Sequence, residues 1–269
     1  MERVDREDGV KNLVSIITPS YNSAKYIIET IDSVLSQTYR NWEMIVVDDV
    51  SLDNSSDIVE KYCKKDNRIR LIKLEKNSGA AVARNRAIEE AKGRYIAFLD
   101  ADDMWKPEKL EKQIYFMQKN NYSFTYTAYE KIDENGVVFG KIGVPLKVSY
   151  NQLLKTCVIG CLTAVYDTEK LGKIYMPTNT KREDFATWLS ILKKIDFAYG
   201  IKENLSQYRV YENQSSGKKA KMAKENWKLY REIEKLNLLK ACYYFSHYAV
   251  RGVLRTKFPK IARFIGFLD

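Results

Sequence analysis

The sequence predicts a doubly wound α/β domain with a mostly parallel sheet, and two features predict it. First, four β-type runs, residues 13–18, 42–47, 69–74 and 95–99, alternate with segments of helical periodicity, and each run is almost continuously apolar. Strands buried on both faces read this way, and strand–helix alternation lays them parallel. Second, each run leads into a polar cluster: Tyr21-Asn22, Asp48-Asp49, residues 77–79, and residues 100–103. Open α/β sheets bind ligands at the carboxyl ends of their strands, so four polar tips on one edge predict a site there.

The elements follow in order. Pro19 is expected to end the first run, and Ser23 to cap the helix carried by Ile27, Ile31, Val34 and Leu35. A second helix is expected over 55–65, with Ser51 and Asp53 either capping it or binding ligand. The Ala-rich segment 80–91 is a strong helix former, and Gly93 stops it before the fourth run. A helix beyond Pro107 to about residue 120 comes next, then a strand at 124–129. Asn135-Gly136 is a hairpin signal that returns the chain through 137–139. A short helix at 150–155 and a strand at 162–166 follow, then a polar loop at 177–181. Phe185, Trp188, Leu189 and Leu192 mark a helix, with late strands expected at 197–201 and 205–210 and a polar loop at 212–219. Helical patterns at 223–240 and 243–267, the second broken at Pro259, complete the chain. The expected division is a domain over 1–216 and a basic, aromatic-rich helical extension over 217–269.

A chain of 269 residues with 45% hydrophobic content has enough apolar surface for one large core and an appendage. It has no run of about 18 apolar residues, so no membrane-spanning helix is expected. The charged N-terminus lacks a signal-peptide core, which leads to the expectation of a cytoplasmic protein. Four cysteines form no CxxC pair and there is one histidine, which argues against a structural zinc site and for buried free thiols. The net charge is +10, and it is uneven: residues 218–263 carry 13 Lys or Arg against Glu225, Glu232 and Glu234. That segment alone accounts for a charge equal to that of the whole chain, so it has its own electrostatic task.

The tip at Asp100, Asp102 and Asp103 is the most informative. Carboxylates crowded at a strand end repel one another unless a cation, a basic side chain or water stabilises them. Hard divalent cations take oxygen ligands and often hold substrate phosphates too. Taken alone, an acidic loop with Asp103 capping the next helix explains the same residues.

The four tips together, VSIITPSYN, VVDDVSLDNS, NSGAAVARN and FLDADD, with REDFATWL and QYR further on, resemble family 2 glycosyltransferases of the GT-A fold. The resemblance covers about residues 12–216. It implies inverting transfer of a sugar from a nucleotide diphosphate donor, often with Mn²⁺ or Mg²⁺. By that resemblance Pro19, Tyr21 and Asp49 line the nucleobase pocket, and Gly79 lets backbone approach the nucleotide. Arg84 reaches the base or the diphosphate, Asp100 faces the ribose, and Asp102 holds the metal. Asp103 contacts the donor sugar or caps the helix. Asp184 is the base that takes the acceptor proton, Glu183 assists acceptor binding, and Arg209 binds phosphate. Tyr211 stands near a position where relatives often carry histidine. A UDP-sugar donor and a lipid-linked or growing surface glycan acceptor are implied.

Two other classes are weighed. A nucleotidyltransferase on a related fold usually carries a Gly-rich basic loop after its first strand, where this chain has Pro19-Ser20-Tyr21-Asn22. A non-catalytic nucleotide-sugar-binding or assembly protein would have no use for Asp102 and Asp184. For the basic extension three readings stand: a helix on an anionic membrane surface, a nucleic-acid contact, and a packed extension. Its basic and aromatic interleaving favours the first, nucleic acid is set aside, and a homo-oligomer is left open. Relatives that act on polyprenyl-linked sugars at the cytoplasmic membrane face agree with a peripheral protein there.

Overall fold

In the computed structural model, which describes residues 12–212 and 219–257, ten strands form one sheet. Its first half holds β1 (Val14–Ser20), β2 (Trp42–Asp48), β3 (Ile69–Lys73) and β4 (Tyr95–Phe98), all parallel, in the order β3-β2-β1-β4. The connections are α1 (Ile27–Leu35), α2 (Ser55–Lys65) and α3 (Ala80–Glu90). The chain steps outward from β1 through β2 to β3 and then returns to the other side of β1 as β4. The β1/β4 boundary is therefore a topological switch point.

The second half is mixed. It contains β5 (Met104–Trp105), α4 (Lys109–Asn120), β6 (Phe124–Ile132), β7 (Val138–Ile142), β8 (Lys147–Val148) and α5 (Tyr150–Lys155). Next come β9 (Val165–Asp167), α6 (Thr168–Leu171), α7 (Glu183–Leu192) and β10 (Ala198–Arg209). β9 joins the two halves, antiparallel to both β4 and β6, while β10 runs parallel to β6. The extension forms α8 (Lys219–Lys228), a π turn (Leu229–Ile233) and α9 (Leu238–Lys257).

The apolar runs alternate between two cores, one on each face of the sheet. Val14 and Ile16, Met44 and Val46, and Tyr95 and Ala97 face a core shared with Ile31, Val59 and Ile114 of α1, α2 and α4. Ile17, Ile45, Val47, Ile96 and Phe98 face the other core, shared with Ala87 of α3, Leu153 of α5 and Trp188 of α7. That core also takes Leu229, Tyr230 and Ala241, so the extension packs on the main body. Burial on both faces explains why these strands lack polar residues at alternate positions.

Several expectations change. β1 continues through Pro19 to Ser20, because its pairing with β4 ends at Ile17 and a missing N–H at Pro19 leaves no ladder bond broken on that side. Ser23 does not cap α1 with its side chain. Its carbonyl accepts the N–H groups of Tyr26 and Ile27, and its hydroxyl pairs with Ser20 at 2.7 Å. The expected strand at 162–166 starts later, after a 3₁₀ turn at Cys161–Thr163. The two late strands are one, β10, whose pairing to β6 shifts register between Ile201 and Ser206 and so bends without ending. The helical pattern at 223–240 breaks where Lys235, at φ +52°, takes the left-handed conformation and Leu236 N–H donates to the Tyr230 carbonyl. Three of the free cysteines are half-buried and Cys242 is exposed. Most of the expected 212–219 loop, and Pro259, lie outside the described residues.

Lys109 is a cost built into the fold. It is fully buried on α4, and its Nζ has no hydrogen-bond partner but sits 3.6 Å from the Trp105 ring centroid. Burial pushes the amine well below its ordinary value, and the ring face offsets only part of that. The unfolded chain binds the proton that the folded chain rejects, so stability rises with pH up to the ordinary lysine range. Lys109→Met is expected to stabilise the protein by about 1–3 kcal/mol at neutral pH. The gain should shrink towards pH 10, and urea denaturation at both pH values checks it.

Candidate active site

The carboxyl ends of β1, β2 and β4 and the start of α3 meet at the switch point. Tyr21 follows β1 and is half exposed, while Pro19 is half-buried in the strand itself. Asp49 follows β2 and is buried. Its Oδ1 accepts the Ser78 N–H and its Oδ2 the Gly79 N–H, both at 2.7 Å, and its carbonyl accepts Asn77 Nδ2 at 2.9 Å. Asp49 therefore folds the 77–79 loop onto β2. A carboxylate offers about four lone-pair positions, so capacity for a further N–H remains. Gly79 has φ +89°, a conformation that favours glycine, and it starts α3 with its N–H turned to Asp49.

The loop after β2 is laced to the loop after β1. Ser51 Oγ accepts the Asn22 N–H at 2.9 Å, Asn22 Oδ1 accepts the Leu52 N–H at 2.7 Å, and Asp53 Oδ2 accepts the Ala24 N–H at 3.1 Å. Ser51 is occupied in this lacing, while Asp53 also meets the helix-capping expectation: its Oδ1 accepts the N–H of Ser55, the first residue of α2, at 3.0 Å, and Asn54 at the formal cap position makes no side-chain bond. Val50, just before Ser51, has φ +63°, a costly conformation for a β-branched residue, and these bonds hold it.

The acidic tip after β4 is gripped from behind by the end of β10. Arg209 is fully buried. Its backbone N–H donates to Asp103 Oδ1 and its Nε to the Asp102 carbonyl, both at 2.9 Å. Its terminal nitrogens donate to the Asp133 and Glu134 carbonyls and to Glu29, and its guanidinium lies 4.5 Å from the Tyr26 ring centroid. Arg209 is a clamp on the tip, in place of the phosphate ligand expected from sequence. Asp103 is buried too, and neither faces a donor sugar nor caps α4, whose N-cap is Glu108. Burial, with Asp102 and Asp100 beside it, pushes the Asp103 carboxyl well above the ordinary value against the pull of Arg209.

Asp102 is left on the open side of the tip, with its Oδ2 accepting the Tyr211 hydroxyl at 2.9 Å. The Tyr211 ring packs 5.5 Å from Tyr26, so the phenol is held in place. Among the described residues no three His, Cys, Asp or Glu side chains converge on a metal position. A single carboxylate still suits Mg²⁺ or Mn²⁺, since small hard cations often take one or two carboxylates and fill the remaining positions with phosphates and water.

Arg84 also departs from expectation. It is buried on α3, and its guanidinium spans two carboxylates: Nη2 donates to Asp100 at 2.6 Å and Nη1 to Glu183 at 3.2 Å. Burial works against its charge, but Asp100, the Cys161 thiol and Glu183 more than offset that and raise its pKa well above the ordinary value. Glu183 and Asp184 start α7, which Trp188 anchors against Phe98 and Phe124 at centroid distances of 5.3 and 5.2 Å. The Asp184 Oδ1 accepts the Phe185 N–H at 2.7 Å, and against the burial of the nearby Arg182 guanidinium Asp184 is the chief group that raises its pKa. The Cys161 thiol faces the same cluster. Burial pushes it well above the ordinary thiol value, against Arg84 and together with Asp100, Asp184 and Glu183.

The structure thus gathers Asp100, Arg84, Glu183 and Asp184 into one cluster, beside Asp102, and turns Asp103 and Arg209 inward. Glu29, Cys161 and the Tyr211 contact were missed from sequence. Their partners lie far along the chain and no local pattern marks them, apart from the departure from histidine at Tyr211.

Comparison with known proteins agrees with this geometry. The family model described as glycosyl transferase family 2 matches residues 15–170. A putative teichuronic acid biosynthesis glycosyltransferase of Bacillus subtilis, TuaG, is 50% identical over 244 residues, covering 90% of this chain and 97% of its own. A UDP-Glc:alpha-D-GlcNAc-diphosphoundecaprenol beta-1,3-glucosyltransferase of Escherichia coli, WfgD, is 45% identical over 247 residues, covering 91% and 96%. Among solved structures, S. aureus TarS in complex with UDP-GlcNAc superposes with a TM-score of 0.68 at 23% identity, over 91% of this chain and 73% of that one. The Pyrobaculum calidifontis mannosyltransferase PcManGT, in complex with GDP-Man and Mn²⁺, gives 0.67 at 18% identity, over 95% and 79%. These two likenesses bear on the fold. With a family match over more than half its length and relatives of this identity aligned almost end to end, the chain belongs to glycosyl transferase family 2 and is a glycosyltransferase.

Proposed function

We propose that this protein is a metal-dependent, inverting glycosyltransferase that moves a sugar from a UDP-sugar to a hydroxyl of a polyprenyl-diphosphate-linked glycan in surface polysaccharide synthesis. The observation that supports the mechanism is the ion-pair link from the acidic tip to the start of α7: Arg84 joins Asp100, two residues before Asp102, to Glu183, the residue before Asp184. Tyr21 stacks on the base, while Pro19, Asp49 and Gly79 shape its pocket and Asp100 meets the ribose. Asp102 holds Mn²⁺ or Mg²⁺, which when bound offsets charge building on the leaving diphosphate. Asp184 accepts the proton of the attacking acceptor hydroxyl as the new bond to the anomeric carbon forms. The bond from that carbon to the diphosphate breaks on the opposite face, so the anomeric configuration inverts. Glu183 orients the acceptor.

The activity of the Escherichia coli relative WfgD, a UDP-Glc:alpha-D-GlcNAc-diphosphoundecaprenol glucosyltransferase, supports the donor and acceptor classes. The test is transfer from UDP-Glc to α-GlcNAc-diphosphoundecaprenol with and without Mn²⁺. The expected product carries a β-linkage and forms only with metal, whereas an α-product or metal-free turnover sinks the mechanism.

The extension acts in this reading as a peripheral membrane contact at the cytoplasmic face. No described helix is long and apolar enough to cross a membrane. Among the described residues, Tyr230 is buried and Trp227, Tyr244 and Phe245 pack against the core, Phe245 on Trp227 at 5.4 Å and Tyr244 on Tyr230 at 6.4 Å. Leu238, Leu239, Tyr243 and Val250 are left outward on α9, in a segment rich in Lys and Arg. Replacing Leu239 and Tyr243 with Glu is expected to lower co-sedimentation with anionic vesicles. Unchanged sedimentation would exclude this face as the contact.

A further inference from the structure

Arg84 joins two groups that serve different substrates. Asp100 ends the strand on which the nucleotide is read, and Glu183 opens the helix that carries the candidate base. They are 83 residues apart in the chain and meet on one guanidinium whose side chain is 7% exposed. The two carboxylates keep open edges, at 28% and 19% exposure, so each is reachable by a substrate. The Arg84 Nε is buried without a hydrogen-bond partner, so the guanidinium leans wholly on these two contacts. Phe185 and Trp188 bury one side of α7 in the core, which leaves the partly exposed Glu183 and Asp184 at its start as the side chains that can adjust.

We propose that Arg84 is a positioning residue that couples donor occupancy to the acceptor base. This rests on the nucleotide reading above. A hydroxyl of the bound nucleotide donating to Asp100 draws on the same carboxylate that balances Arg84. The buried cation then depends more on Glu183, because a charge kept from water needs its remaining partner. The stronger pull orders the first turn of α7 and with it Asp184. The base is thus set when a donor is present, which favours donor binding before acceptor. By linkage, an acceptor that engages Glu183 strengthens nucleotide binding in return.

Hydrogen exchange on the full chain, with and without UDP and Mn²⁺, tests the coupling. In the native protein UDP should slow exchange both in the strand-tip peptide 95–103 and in the α7 peptide 182–188, the latter by roughly fivefold or more. In Arg84→Met the strand-tip response should persist while the α7 response disappears, and Arg84→Lys, with its single charged head, should restore part of it. Glu183→Gln cuts the same link from the other side and serves if Arg84→Met melts too low to study. An α7 response that is absent in the native protein, or that survives in both Arg84→Met and Glu183→Gln, overturns the coupling alone. A native protein in which UDP alters neither peptide overturns the nucleotide reading together with it.

Discussion

Asp184→Asn is expected to lower the transfer rate by roughly 10²–10⁴-fold while leaving UDP affinity nearly unchanged. The Asp184 carboxylate accepts the N–H of the next residue at 2.7 Å and interacts electrostatically with the Arg182 guanidinium. Asn keeps the shape and an oxygen for that bond, so α7 should hold its place. What it loses is the capacity to take a proton. In the proposed site the nucleotide contacts come from other elements, the ends of β1, β2 and β4, which Asn does not touch. Turnover of UDP-Glc with acceptor, beside calorimetric titration with UDP and Mn²⁺, separates the two effects. Full transfer activity would remove Asp184 from the mechanism.

Arg209→Met should destabilise the fold by about 3–5 kcal/mol, the range for removing one partner of a buried charged network. The guanidinium is fully buried and serves the Asp102, Asp133 and Glu134 carbonyls as well as Glu29. Glu29 is half exposed and regains water, so most of the loss comes from the carbonyls left without donors. The backbone bond from residue 209 to Asp103 survives the substitution, so the strand end stays near the tip while the tip loosens. A matching shift in the urea midpoint, with weaker Mn²⁺-dependent UDP binding, is the expected result. A variant as stable as the native protein would mean that water replaces the clamp.

The expectations that held from sequence share a physical basis. The parallel half of the sheet was legible because burial on both faces requires continuous apolar runs, and because α2 and α3 carry local helical signals over their lengths. The polar tips were legible because a strand that ends at a ligand edge must change from apolar to polar within one or two residues.

What the residues in between do was decided only by the tertiary structure. Arg84, Asp103 and Arg209 are charged, and charged side chains beside a site read as ligands. Whether such a group faces the substrate or the interior depends on which carboxylates and carbonyls meet it, and those come from segments as much as 180 residues away. The same holds for Tyr211, whose hydroxyl finds Asp102 across 109 residues, and for the extension, whose aromatics were read as outward while Trp227, Tyr230, Tyr244 and Phe245 pack inward. Sequence alone determined the parallel half of the sheet and its polar tips, because local periodicity and strand-end polarity encode them. Burial is a property of the assembled chain, and it alone separated the groups left open to substrates from the charges that hold them in place.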